Sequence, residues 1–236
     1  MGFPAEKFMT AKPILFNSKM VKAIYEDRKT VTRRLVKPKY RNNEYGYSIC
    51  RRAIDNSIAY IAYTDEDGAL TRDMAPPYFI GDILYIRETW KHAQDVYGDQ
   101  PPTYVYKVGE KSKNGFCLPD LEVEDRWHPS IHMPKEAARI WLKVTDVRVE
   151  RLQDISREQI FKEGCGTGSG IDPNDYAKEE WYEFHGLDCD YDRASFAGLW
   201  ESTVNDKDTG KYGWGANPWV WVIEFERIDN PAAKTA

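Results

Sequence analysis

The sequence predicts an α+β protein: a small mixed or antiparallel β-barrel with a few flanking helices. Three observations predict it. Strand-like segments recur along the chain, helical periodicity is confined to short stretches, and the connections are brief. At 236 residues the chain fits one domain, 1–236, with insertions near 39–80, 91–134 and 165–192.

Taken in order, residues 1–12 read as a loose terminus and Lys12-Pro13-Ile14-Leu15-Phe16 as a short apolar strand. Asn17-Ser18 can cap a following helix, in which Met20, Val21, Ile24 and Tyr25 fall at helical spacing. Thr30 to Val36 is rich in β-branched residues and reads as a strand ended by Pro38. Period two places Thr30, Thr32 and Arg34 on one face, and Val31, Arg33 and Leu35 on the other. Tyr45–Ile49 and Ser57–Tyr63 suggest a polar hairpin or meander. Ala75-Pro76-Pro77 is a break, and Gly81-Asp82 turns the chain into a strand over Ile83–Trp90. Residues 91–102 read as a loop, Thr103–Val108 as a strand and 109–134 as irregular.

Ala138–Leu152 alternates as a long strand with an irregularity near Thr145-Asp146. Ser156-Arg157-Glu158-Gln159 has the form of a capping box, so a short helix should run to Glu163 and stop at Gly164. Gly164–Gly170 reads as a flexible loop, without the ending or the preceding strand of a phosphate loop. Asn174–Phe184 and Arg193–Thr203 are expected helices, Asn205–Gly215 a polar turn region and Trp219–Ile228 a final strand, with a tail from Asp229.

The net charge of −5 argues against a strongly basic, nucleic-acid-coating protein, while leaving room for a local basic cleft. Cys50, Cys117, Cys165 and Cys189 are scattered, without metal-type spacing, and read as free thiols. No cofactor is called for. No apolar run approaches the roughly 20 residues of a membrane span, so no membrane partner is expected and the cytoplasm is the default.

The chemistry-bearing stretch is Asp27-Arg28-Lys29-Thr30-Val31-Thr32-Arg33-Arg34. A threonine hydroxyl needs a base beside it to act as a nucleophile, and a lysine serves only when burial or neighbouring cations favour its neutral form. The ordinary alternative is an exposed basic turn beside a strand threonine. Glu163, at a helix C-terminus where the dipole favours cations, is either a surface residue or part of a site. Trp90, Trp127, Trp214, Trp219 and Trp221 are stacking platforms or core. Trp219 and Trp221 alternate with Val220 and Val222, so one pair faces inward and the other lies on the opposite face. Trp214, between Gly213 and Gly215, is the one expected to be mobile or to face a ligand. His128 and His132 are proline-flanked loop histidines rather than a zinc pair.

Several segments together resemble the ASCH-domain family of the PUA-like superfamily, especially its longer bacteriophage and prophage members. They are Lys12–Phe16 through Arg28–Arg34, Gly81-Asp82 through Glu88-Thr89-Trp90, and Arg126-Trp127 through Ile131-His132-Met133-Pro134. Val144 through Glu163-Gly164 and Trp214 through Glu224-Phe225 complete the set. The resemblance implies a PUA-like barrel and an amidohydrolase that removes the acyl group from N(4)-acetylcytidine. It implies Lys29, Thr32 and Glu163 as the catalytic set, with Arg34, Arg28, Trp90, Glu88, His132, Trp214 and Asn217 around the substrate. Either Thr32 attacks with Lys29 as base, or water attacks with Glu163 as base. Asp27 stands where such enzymes carry glycine, and Arg33 where they carry an apolar residue. The implied partner is a small modified nucleoside or single-stranded nucleic acid. The alternative function is a non-catalytic module that binds RNA or a modified base, and a ribonuclease is a third.

Overall fold

The computed structural model describes residues 11–37, 47–51, 58–64, 70–95, 103–109, 121–165 and 191–231. The strands are β1 (Lys12–Leu15), β2 (Val31–Leu35), β3 (Tyr47–Arg51), β4 (Ile58–Thr64), β5 (Leu70–Met74), β6 (Ile83–Arg87), β7 (Trp90–Asp95), β8 (Thr103–Tyr106), β9 (Leu121–Val123), β10 (Trp141–Arg151) and β11 (Trp219–Ile228). The helices are α1 (Ser18–Tyr25), α2 (Arg157–Lys162), α3 (Tyr191–Glu201) and α4 (Thr209–Tyr212).

The fold is α+β, with a five-stranded mixed sheet in the order β1-β6-β10-β11-β2. β1 runs parallel to β6, while β10 and β11 pair antiparallel with β6 and β2 respectively. The expected barrel is not found. No pairing of β1 with β2 closes the sheet among the described residues, and the expected strands β3, β4 and β8 lie in two separate sheets, β3-β4-β5 and β8-β7-β9. Period-two patterning identifies strands but not which edges pair.

Contacts group the chain into two compact units, Met1–Asp27, Gly81–Val144 and Glu226–Ala236 in one, and Arg28–Ile80 and Thr145–Phe225 in the other. In the first unit, Asn17 caps α1 by accepting from the Met20 N–H at 2.9 Å. Val21, Ala23 and Ile24 are buried and Tyr25 is exposed, so the apolar face is narrower at its C-terminal end than the spacing implied. Tyr85, Trp90, Tyr106, Met133 and Trp141 form a core cluster. The strand expected over Ile83–Trp90 stops at Arg87, and a new strand, β7, occupies part of the expected loop. Its run Lys91-His92-Ala93-Gln94 buries only Ala93, too little apolar patterning to be seen in sequence.

In the second unit, β11 lies between neighbours on both sides, and Val220, Trp221, Val222 and Ile223 are all buried. Covering both faces of a central strand erases the inward-outward alternation expected of Trp219 to Val222. β10 runs without a break through Thr145-Asp146. The capping box is complete: Ser156 Oγ accepts from the Gln159 N–H at 3.3 Å, and Gln159 Oε1 accepts from the Ser156 N–H at 3.0 Å. The expected helix over Asn174–Phe184 and the loop beyond Cys165 lie outside the described residues.

Ser156→Ala removes one half of that box. It is expected to lower unfolding free energy by about 1 kcal/mol in urea titration, with Ser156→Asp recovering most of it.

Candidate functional site

The site is built by the end of α2. Glu163 is the C-cap, with near-helical φ −72° and ψ −9°, and Gly164 follows in the left-handed region at φ 82°. The Gly164 N–H donates to Phe161 O at 2.9 Å and the Cys165 N–H to Ile160 O at 3.2 Å, the double bond of a Schellman turn. Ile160 and Cys165 are both buried beneath it. The turn lays Glu163 against the start of β2, where Lys29 and Glu163 form an antiparallel bridge and the Thr30 N–H donates to Lys162 O at 2.8 Å. Arg28 Nη1 donates to Gly164 O at 3.2 Å, a cation where the helix end favours one. Asp27 has φ 54°, a conformation Asp tolerates better than most residues.

Three charged side chains meet here out of solvent. The Lys29 side chain is 0% exposed, Arg33 is 1% and Glu163 is 4%. Lys29 Nζ donates to Glu163 O at 3.0 Å and also to Glu163 Oε2. Arg33 Nη1 donates to the other carboxylate oxygen, Oε1, at 3.0 Å. Arg33 Nη2 donates to Gln159 Oε1 at 2.8 Å and lies 3.4 Å from Glu150 Oε2. Gln159 therefore serves the helix cap and the site with the same oxygen. The Arg33 guanidinium carbon stands 5.7 Å from the centre of the Phe196 ring.

Thr32 and Arg34 leave β2 on the opposite face from Arg33, because strand side chains alternate. In the β2–β11 register Thr32 lies opposite Ile223, and Arg34 opposite Trp221. Thr32 is buried, and among the described residues no hydrogen bond joins its hydroxyl to Lys29 or Glu163. Arg34 lines a cleft of about 470 Å³ with Lys37, Tyr78 and Trp221. Burial pushes the Arg34 guanidinium below its ordinary value, against the opposing influence of Tyr78 and Glu163. Period two sets Arg33 on the face away from Thr32 and Arg34. It does leave the other face, but α2 covers that face and makes Arg33 the second cation on Glu163.

Two further expected contacts in this unit have structural partners. Trp214 is 2% exposed and meets the Phe196 ring edge-on, with centroids 6.1 Å apart. Flanking glycines gave the appearance of mobility, but its backbone N–H is fixed by Glu201 Oε1 at 2.6 Å. Asn217 takes a left-handed φ of 45° before β11, and its Oδ1 accepts from the Gln153 N–H at 2.8 Å.

Glu88, Trp90 and His132 belong to the other unit. Glu88 is buried and held at two points by Arg139, Nε to Oε1 and Nη2 to Oε2, each 2.9 Å. Burial raises its pKa against the pull of Arg139. The Arg139 guanidinium covers the Tyr106 ring at 4.0 Å. Trp90 is core and stacks on His128 at 4.7 Å. His132 is exposed on a short 3-10 turn, Ser130–His132. Sequence reasoning missed Gln159, Glu150 and Tyr78. The Gln159 role was signalled by its place in the capping box, which aims its amide back toward the start of the helix.

Burial pushes the Cys165 thiol up to about 12, a shift that Lys29 and Arg28 oppose and Glu163 reinforces. The thiol is therefore protonated at pH 8, and thiolate is the reactive form. Iodoacetamide at pH 8 is expected to leave Cys165 unmodified in the native protein and to modify it in denaturant, read by peptide mass spectrometry. No family model, curated protein or solved structure matches this chain.

Proposed function

We propose that this protein is an amidohydrolase that removes the acyl group from acylated cytosine nucleosides of the N(4)-acetylcytidine type. The observation that carries the reading is a lysine with a 0% exposed side chain bonded to a nearly buried glutamate. Lysine is rarely buried completely, and burying an ion pair costs desolvation that its attraction often fails to offset. Such a pair is better explained by chemistry than by stability. On the other face of β2, a cleft of about 470 Å³ lined by Arg34, Tyr78 and Trp221 has room for a planar polar ligand.

Both oxygens of Glu163 are already engaged, one by Lys29 and one by Arg33. That arrangement suits orienting Lys29 better than taking a proton from water alone. Lys29, oriented by Glu163, is the base that accepts a proton from the attacking water. The water oxygen bonds to the acyl carbon, and the carbonyl oxygen takes up the negative charge of the tetrahedral intermediate. The C–N bond then breaks, Lys29 returns the proton to the exocyclic nitrogen, and carboxylic acid and cytidine leave. Thr32 leaves β2 on the face opposite Arg33, the partner of Glu163, which favours this route over an acyl-threonine intermediate.

Incubation with N(4)-acetylcytidine, followed by ultraviolet absorbance and chromatography, is expected to yield cytidine and acetate. Lys29→Ala should lower turnover by about 10²–10⁴-fold, the range for losing a general acid–base group. Thr32→Val should slow the reaction less, with no acyl adduct on Thr32 in quenched wild-type protein. Tight binding of N(4)-acetylcytidine without product would instead identify a binding module.

A further inference from the structure

The cleft on the Thr32 face carries more positive charge than a neutral nucleoside requires. Among the described residues its lining includes two cations, Arg34 and Lys37, and no carboxylate. Arg34 is half-buried, whereas Lys37 is exposed, three residues further along the chain. The other walls are apolar or aromatic: buried Met74, Pro77, Tyr78, and Trp221 directly across the β2–β11 ladder from Arg34. Arg34 is partly shielded in this wall, and charge-assisted hydrogen bonds to an anion strengthen away from water. The lining thus sets Tyr78 and Pro77 beside two cations, within a volume of about 470 Å³ that has room for one nucleotide rather than a strand. The net charge of −5 disfavours an extended nucleic-acid track beyond it.

We propose that this cleft takes a mononucleotide, with Arg34 and Lys37 holding its 5′-phosphate and the base lying against Tyr78 and Pro77. The proposal rests on the acyl-cytosine reading for the identity of the base, but not for the phosphate. It places the protein after a reaction that releases acylated cytidine monophosphate, such as breakdown of modified RNA to mononucleotides.

The test compares cytidine, cytidine 5′-monophosphate and a short cytidine-containing RNA for binding, by tryptophan fluorescence and calorimetry. It also compares N(4)-acetylcytidine with its 5′-monophosphate for hydrolysis. The monophosphate is expected to bind roughly tenfold or more tighter than the nucleoside, the scale of one or two charge-assisted hydrogen bonds. The preference should shrink as salt rises, and Lys37→Gln should bring the ratio of the two affinities toward one. Equal affinities for cytidine and its monophosphate would overturn the proposal even if the nucleoside is hydrolysed. Tighter binding of the RNA than of the monophosphate would overturn it in favour of a strand-binding groove. A Lys37-dependent preference for the monophosphate with no hydrolysis of either acylated compound would uphold the phosphate site and sink the hydrolase reading.

Discussion

Glu163 is the hinge of the second unit's chemistry. One carboxylate, nearly out of solvent, answers two cations from the same short segment, Lys29 and Arg33. Neither cation tolerates its loss: removing one partner of a buried pair typically costs about 3–5 kcal/mol. The carboxylate's position is set by backbone, since the Schellman turn at Gly164 and the Lys29–Glu163 bridge hold it from both sides. Local helix chemistry thereby becomes site geometry. Gln159 extends the linkage, capping α2 at one end and binding Arg33 with the same oxygen.

The two faces of β2 divide the work. Arg33 goes to the face covered by α2 and Phe196, while Thr32 and Arg34 share the face that holds the cleft. They are not electrically separate, because Glu163 influences the Arg34 guanidinium. β2 thus carries a buried charged cluster on one face and borders a cleft on the other. That burial also explains how a basic stretch, Arg28 to Arg34, exists in a protein of net charge −5 without forming a solvated basic patch.

Local features were the most legible in the sequence. Ser156, Gln159 and Gly164 specify the start and stop of α2, and Asn17 the start of α1, because capping is a matter of adjacent residues. The pairing of Lys29 with Glu163 spans 134 positions, and no local pattern encodes it. It entered through resemblance to a family. Alternation correctly separated Thr32 from Arg33, but it cannot say which face a distant helix will cover, so Arg33 was undervalued. Trp214 was overvalued for a similar reason. Neighbouring glycines suggested freedom, whereas Phe196 and Glu201 confine it. The barrel was lost because strands β3–β5 and β7–β9 pair among themselves.

On the proposed reading, Lys29 and Glu163 act as one catalytic unit. A double-mutant cycle on N(4)-acetylcytidine hydrolysis tests it most directly, using Lys29→Met, Glu163→Gln and the pair, each confirmed folded by circular dichroism. The expected result is strong non-additivity, with the double variant no slower than the slower single one. Losses that multiply, or full activity in either single variant, would contradict it.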